Sequence, residues 1–227
     1  MNNKLNNEAL NIKLDQRSKI LRKLIVRSLI GGGKGHMGAA MSLVEILRVL
    51  YDDMINFDPK KPLLSERDRV VLSKGHGCLA LYAILVDKGF FPASELDTTS
   101  QVDSILGGHP EHAHVPGVEA STGALGHGFP ISVGIALAAK LDKLNYKVYV
   151  VLGDGEIQEG QIWEAAMSAS KFNSNNLIAI VDNNKVAQDN ATVDLKNIEP
   201  LEDKWNSFGW DVHRINGHKI NDIMKTL

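Results

Sequence analysis

From about Glu8 to Leu29, Ile20, Leu21, Leu24, Ile25 and Leu29 recur at helical spacing among lysines and arginines. That pattern predicts an amphipathic helix, and Gly31-Gly32-Gly33 predicts its end. Residues 42–54 are apolar nearly all round (Leu43, Val44, Ile46, Leu47, Val49, Leu50), which predicts a second helix, buried in the fold or at a subunit contact. The periodicity then alternates. Arg69 to Leu72 reads as a short strand, followed by an apolar helix to about Lys88. A helix is predicted from Pro130 to Leu144, a strand from Lys147 to Leu152 and a helix from Gln161 to Lys171. Strands from Leu177 to Val181 and Trp210 to Ile215 follow, with a last helix from about Ile220. The run Val148-Tyr149-Val150-Val151-Leu152 lacks polar alternation, as in a strand covered on both faces. Strands separated by helices predict an α/β fold: a doubly wound, mostly parallel sheet with helices on both faces. Residues 89–127 are rich in Gly, Pro and His with little periodicity, and such long irregular stretches in compact domains usually serve function. The polar, Asn-rich first ten residues are expected to fray.

Composition narrows the class. The chain has 227 residues, 44% hydrophobic and 23% charged, with a formal net charge of −2. This is an ordinary globular profile without the broad positive field that nucleic acid binding needs. No apolar run approaches the roughly twenty residues of a membrane span, and the polar start lacks a secretory apolar segment. The single cysteine, Cys78, allows no internal disulfide. It fits a reducing, cytoplasmic setting, and it reads as a buried small hydrophobe ahead of a nucleophile.

The candidate chemistry lies at strand ends. Gly153-Asp154-Gly155 closes one buried strand and Asp182-Asn183-Asn184 closes the next. In an open parallel sheet, ligands bind beyond the carboxyl ends of the strands, where both turns should lie. Asp154 offers a carboxylate oxygen, Asn184 an amide oxygen and the following loop backbone carbonyls, a donor set suited to Mg²⁺ shared with a diphosphate. Glycines beside Asp154 admit a close phosphate, and the helix after Gly155 aims its N-terminus at the anion. A lone G-D-G also describes a common turn; the second oxygen-bearing turn one βαβ unit later carries the reading. Gly31 to Gly35 with Lys34 mimics a phosphate loop. It follows a helix instead of a strand, and Gly35 stands where Ser or Thr is required.

The G-D-G to N-N spacing resembles the motif of thiamine-diphosphate enzymes. Further segments resemble the N-terminal part of transketolase in that family's order: Lys34-Gly35-His36-Met37-Gly38, Leu72-Ser73-Lys74-Gly75-His76, Gly108-His109-Pro110-Glu111, Ser121 to Gly128, and Glu156-Ile157-Gln158-Glu159-Gly160. The resemblance runs from about Arg17 to the C-terminus. It implies a thiamine-diphosphate-binding fold, with residues 1–227 as a single diphosphate domain. It also implies transfer of a two-carbon ketol unit from a ketose phosphate to an aldose phosphate, as in the pentose phosphate pathway. Thiamine diphosphate and Mg²⁺ (or Ca²⁺ or Mn²⁺) are the implied cofactors. His36, His76 and His109 would line the substrate cleft. Each sits beside glycine in a turn, which predicts exposed imidazoles active near neutral pH. The resemblance places Asp154, Asn184 and the Val186 carbonyl on the metal. His76, Gly123, Ala124, Leu125, Gly153, Gly155 and Glu156 would lie against the cofactor. Glu159 reads either as a link between two active sites or as a solvated carboxylate at a helix start. Ala124 and His127 depart from the family's usual proline and glutamine. His112, His114, His213 and His218 read as surface residues.

The resemblance further implies a missing half. In the family, the glutamate that protonates the cofactor's pyrimidine comes from a second domain, which 227 residues leave no room for. The expected partner is a separately encoded transketolase C-terminal, pyrimidine-domain subunit, joined to a self-associated dimer core as a heterotetramer. The last helix has barely begun at Leu227, so the domain is expected to be trimmed or continued elsewhere. The rivals are another thiamine enzyme's subunit (2-oxo acid dehydrogenase alpha-like or deoxyxylulose-phosphate-synthase-like), one that serves a specialised sugar acceptor, and a non-catalytic cofactor-binding module.

Overall fold

The computed structural model describes residues 11–188 and 190–227, so the expected fraying of residues 1–10 lies outside the described residues. Helix α1 spans Gln16–Gly32; Asp15 caps its start by accepting the Ser18 N–H at 2.9 Å. Gly33 ends it in the left-handed conformation (φ 64°) that glycine adopts without penalty.

The predicted 42–54 helix forms from Val44 and ends in a π turn, and a break sets it off from a short helix before it. Helix α2 (Met37–Met41) and helix α3 (Val44–Val49) are separated by Ser42 and Leu43, and a π turn, Leu50–Met54, follows. The Leu43 N–H reaches back only to the Ala40 carbonyl. The Ser42 hydroxyl turns toward Asp182 at 2.6 Å, within reach also of the Ala39 carbonyl. A serine that bonds across the fold competes with the helix ladder. The apolar residues of this segment are buried within the chain itself.

Strands β1 (Arg69–Leu72), β2 (Val148–Gly153) and β3 (Leu177–Asp182) form one parallel sheet in the order β1-β2-β3. The register pairs Leu72 with Val151 and Gly153 with Asp182, so the three carboxyl ends open on one side. Alternate residues of β2 face opposite cores. Tyr149 and Val151 pack with α1, α3 and helix α4 (Cys78–Asp87), whereas Val148, Val150 and Leu152 pack with helix α5 (Gly128–Leu141) and helix α6 (Gly160–Lys171). Helices on both faces explain the unbroken apolar run of β2. A short hairpin, β4 (Val186–Ala187) with β5 (Asn190–Ala191), leads to α7 (Thr192–Leu195), α8 (Leu201–Ser207) and α9 (Ile220–Thr226). No described helix is long and apolar enough to cross a membrane.

The strand predicted from Trp210 to Ile215 does not form. Trp210 donates its indole N–H to the Ala166 carbonyl at 3.1 Å and packs edge-on against Trp205, which holds the segment on α6 and α8. A cavity of about 1230 Å³ lies between it and β3. β3 is therefore an edge strand whose outer side has no ladder partner among the described residues.

Candidate functional site

The two turns named from sequence lie side by side, since Gly153 and Asp182 are register partners. Asp154 is 1% exposed. Its Oδ1 accepts the Gly155 N–H at 2.9 Å; its Oδ2 accepts the Lys185 N–H at 2.7 Å and the Thr192 hydroxyl at 2.8 Å. No cation among the described residues pairs with it. Burial raises its pKa, and these donors offset only part of that effect. A buried carboxylate held by N–H and O–H groups alone suits a bound cation. Asn184 accepts the Val186 N–H at its amide oxygen (3.0 Å), which turns the chain back; a Cβ on Gly155 would lie 3.0 Å from that of Ala187. The donor set is one carboxylate, one amide oxygen and backbone carbonyls, with lone pairs to spare, and it fits a hard cation shared with phosphate oxygens. Val186 is exposed at the start of β4.

The helix after Gly155, predicted from Gln161, begins at Gly160. A 3₁₀ turn, Glu156–Gln158, lies between Gly155 and α6. The buried Glu156 carboxylate accepts from the Ser73 hydroxyl at 2.5 Å, the Gly126 N–H at 3.0 Å and the Gly153 N–H at 3.1 Å. It pins the ends of β1 and β2 and the 121–128 segment together, so contact with a diphosphate is left to its backbone. Glu159 is exposed at the start of α6 and makes no side-chain cap.

The histidines converge. The His36 and His76 rings meet edge to face, 5.4 Å between centroids. His109 lies against Gly123: a Cβ there would come within 2.8 Å of the His109 ring. His36 and His109 are exposed as expected, but His76 is half-buried in a 3₁₀ turn, Gly75–Gly77. Burial, and next the Lys74 ammonium, pull its pKa down to about 4. It is therefore neutral at physiological pH, able to donate from one ring nitrogen and accept at the other. The stretch 89–127 delivers His109 and Gly123 to the strand ends. Tyr82 of α4 places its hydroxyl within bonding distance of the Gly107 and His109 carbonyls, and the Thr122 hydroxyl donates to the Leu72 carbonyl at 2.7 Å. Ala124 is exposed and Leu125 partly so on this segment. The His127 ring lies 3.2 Å from the Leu125 carbonyl and 3.1 Å from the Gln161 amide nitrogen. Cys78 is buried, its thiol pushed up to about 11 by burial, which fits a structural thiol.

Thr192, Tyr82, Ser42 and Lys74 support the site without any signal of their own in the sequence; Lys74 stands in a family-like motif, but nothing in that motif singles it out. Of the histidines read as surface residues, His112, His114 and His213 are exposed. His218 is not: its Nδ1 lies 3.0 Å from Glu45 Oε2, and Glu45 also pairs with Arg22 at 2.7 Å. Burial alone would raise the Glu45 pKa; the His218 and Arg22 partners override it and hold the carboxyl near about 2. The same contact raises the His218 pKa. A raised histidine pKa stabilises the fold fully below the unfolded value of about 6.5, and that contribution is lost as pH rises through the folded value. His218→Gln should therefore cost about 1 kcal/mol, discounted for partial exposure, at pH 6. Urea unfolding at pH 6 and pH 9 should show the gap narrowing at the higher pH.

A parallel sheet that gathers a cation-free buried carboxylate, an amide oxygen and paired histidines at its strand ends defines an α/β cofactor-binding domain. Residues 15–227 match the family model described as transketolase, thiamine diphosphate binding domain. The chain belongs to this family and carries its thiamine-diphosphate-binding domain. It is 44% identical over 216 residues to the 6-deoxy-6-sulfo-D-fructose transketolase subunit SqwG of Clostridium sp., covering 95% of this chain and 78% of that one. It is also 44% identical over 214 residues to an apulose-4-phosphate transketolase subunit of Phocaeicola vulgatus, covering 94% and 76%. The solved transketolase of Campylobacter jejuni superposes with a TM-score of 0.87 at 33% identity, over 93% of this chain and 34% of that one.

Proposed function

We propose that this chain is the diphosphate-binding subunit of a split transketolase, residues 1–227 forming one domain with the pyrimidine domain on a separate chain. The observation that carries the reading is the convergence, at one end of the sheet, of the cation-free Asp154 with the contacting His36 and His76 rings. Asp154, Asn184 and the Val186 carbonyl would hold Mg²⁺, while Gly153, Gly155 and the Glu156 backbone would face the diphosphate. Gly123, Ala124 and Leu125 would pass over the pyrimidine ring beside His76. When bound, thiamine diphosphate supplies the chemistry that cleaves a ketose carbon–carbon bond and hands a two-carbon ketol unit to an aldose. His36, His76 and His109 would grip the sugar hydroxyls and move protons at their ring nitrogens. Neutral His76 suits the gripping of hydroxyls, because one ring nitrogen donates a hydrogen bond while the other accepts one.

Relatives named as subunits support a partner chain, and the assembly proposed on that basis is a heterotetramer with Glu159 facing a second site across a dimer core. Their names also broaden the substrates beyond the pentose phosphate pathway to other sugar phosphates and a sulfo-sugar. The single buried cysteine supports a cytoplasmic setting. The histidine pair favours transketolase chemistry over other thiamine enzymes or a silent module. Calorimetric titration of thiamine diphosphate into the chain with its partner subunit should show binding with Mg²⁺ and none with EDTA. Metal-independent binding, or none in the complex, would sink the reading.

A further inference from the structure

Lys74 stands at the end of β1, between Ser73 and the Gly75–His76 turn, and is 1% exposed. Its ammonium lies 2.8 Å from Asp182 Oδ2, the same oxygen that accepts the Ser42 hydroxyl at 2.6 Å. The Ser42 hydroxyl in turn lies 3.5 Å from the Asn184 amide nitrogen. Three segments meet on this pair: the break after α2, which follows His36; the turn that carries His76; and the turn that carries Asn184. Gly153 and Gly77 flank the lysine, a Cβ on either lying 3.6 Å from its side chain, in ordinary contact.

A buried ion pair is a poor way to add stability, since desolvation consumes most of its attraction and packed apolar residues do as well. Its worth here is in placement. Asp182 ends β3 beside Asp154, whose N–H bonds the Asp182 carbonyl at 3.3 Å, so two carboxylates stand together where a metal would bind. Lys74 neutralises Asp182 and leaves Asp154 as the member of the pair that a cation must satisfy.

We infer that Lys74 is a positioning residue: it locks the Asp182–Asn184 turn against the histidine turn and reserves the divalent cation for Asp154. The metal part of this inference rests on the functional reading above; the locking part does not.

The test compares wild type with Lys74→Met, Asp182→Asn and the charge-balanced double variant, each in the full chain. The first arm is hydrogen exchange at the Lys185 and Val186 amides, which bond to Asp154 and Asn184 without any cofactor. Lys74→Met should speed exchange there at least about tenfold, with core amides of β2 unchanged, as expected for a local opening. The second arm is calorimetric titration of thiamine diphosphate with Mg²⁺ into the complex with the partner subunit. Affinity should fall at least about tenfold in Lys74→Met, the scale of losing an outer partner of a metal ligand. The double variant should recover most of both effects. A folded Lys74→Met with wild-type exchange and affinity overturns the inference, as does a double variant no better than the single one. Should Lys74→Met fail to fold, Asp182→Asn decides: it breaks the same pair and must speed exchange at Lys185. A wild-type complex that binds no cofactor fails the functional reading, and the exchange arm then judges the lock by itself.

Discussion

Asp154→Ala should abolish metal-dependent binding of thiamine diphosphate and leave the fold standing. The alanine removes the charged oxygen of the proposed metal set, and even outer partners of metal ligands are worth about 10- to 100-fold in affinity. A loss of at least about 100-fold is therefore expected for the ligand itself. Stability should move little, because two effects oppose each other. The Thr192 hydroxyl and the Lys185 N–H lose their acceptor, at about 1–3 kcal/mol. Against that, the fold no longer buries a carboxylate without a cation. Calorimetric titration beside thermal unfolding checks both parts. Retained Mg²⁺-dependent affinity would remove Asp154 from the site. A collapsed fold would recast it as a structural residue.

Gly75→Ala should damage the site through backbone alone. A Cβ at Gly75 would sit 2.7 Å from the Thr122 carbonyl carbon and oxygen and 2.8 Å from the Gly123 nitrogen. Backbone cannot swing aside as a side-chain tip can, so the β1 turn and the 122–125 segment must part. That shift carries His76 one way and Gly123, with the His109 ring packed on it, the other. A displacement of about 1 Å at reacting groups costs on the order of 100-fold in rate; overpacking costs about 1–3 kcal/mol in stability. Transfer assays of the assembled enzyme should show the drop in kcat/KM, and urea unfolding the loss of stability. Gly38→Ala, with nothing within 4 Å of the added Cβ, should show neither.

The sheet is legible in the sequence because β1, β2 and β3 are short apolar runs bounded by polar turns, and because glycines flank Asp154 at a strand end. The site residues in Gly-rich turns are legible for the same reason: turn chemistry is local. What stays hidden depends on contacts across the fold. Nothing near Ser42 announces that its hydroxyl will reach Asp182, so the break at Ser42 and Leu43, ahead of the buried helix, has no signal. Trp210 to Ile215 has the β-branched and aromatic content of a strand, yet the indole contacts of Trp205 and Trp210 hold it off β3. His218 reads as one more polar loop residue until Glu45, from a helix predicted to be apolar nearly all round, meets it. His76 reads as an exposed imidazole, whereas the turn that holds it packs Gly75 onto Thr122 and half-buries the ring.

The unladdered side of β3 bears on how the protein behaves in a tube. A strand with a free row of N–H and C=O groups is a template for any extended chain that reaches it. Ile178 and Ile180 lie half-buried along that side, so an incoming strand would also cover apolar surface. Concentrated stocks of the lone protein should thus drift toward sheet-to-sheet aggregates, with turbidity rising steeply with concentration. Dilute handling, or early mixing with whatever shields β3, becomes a condition for measuring anything else.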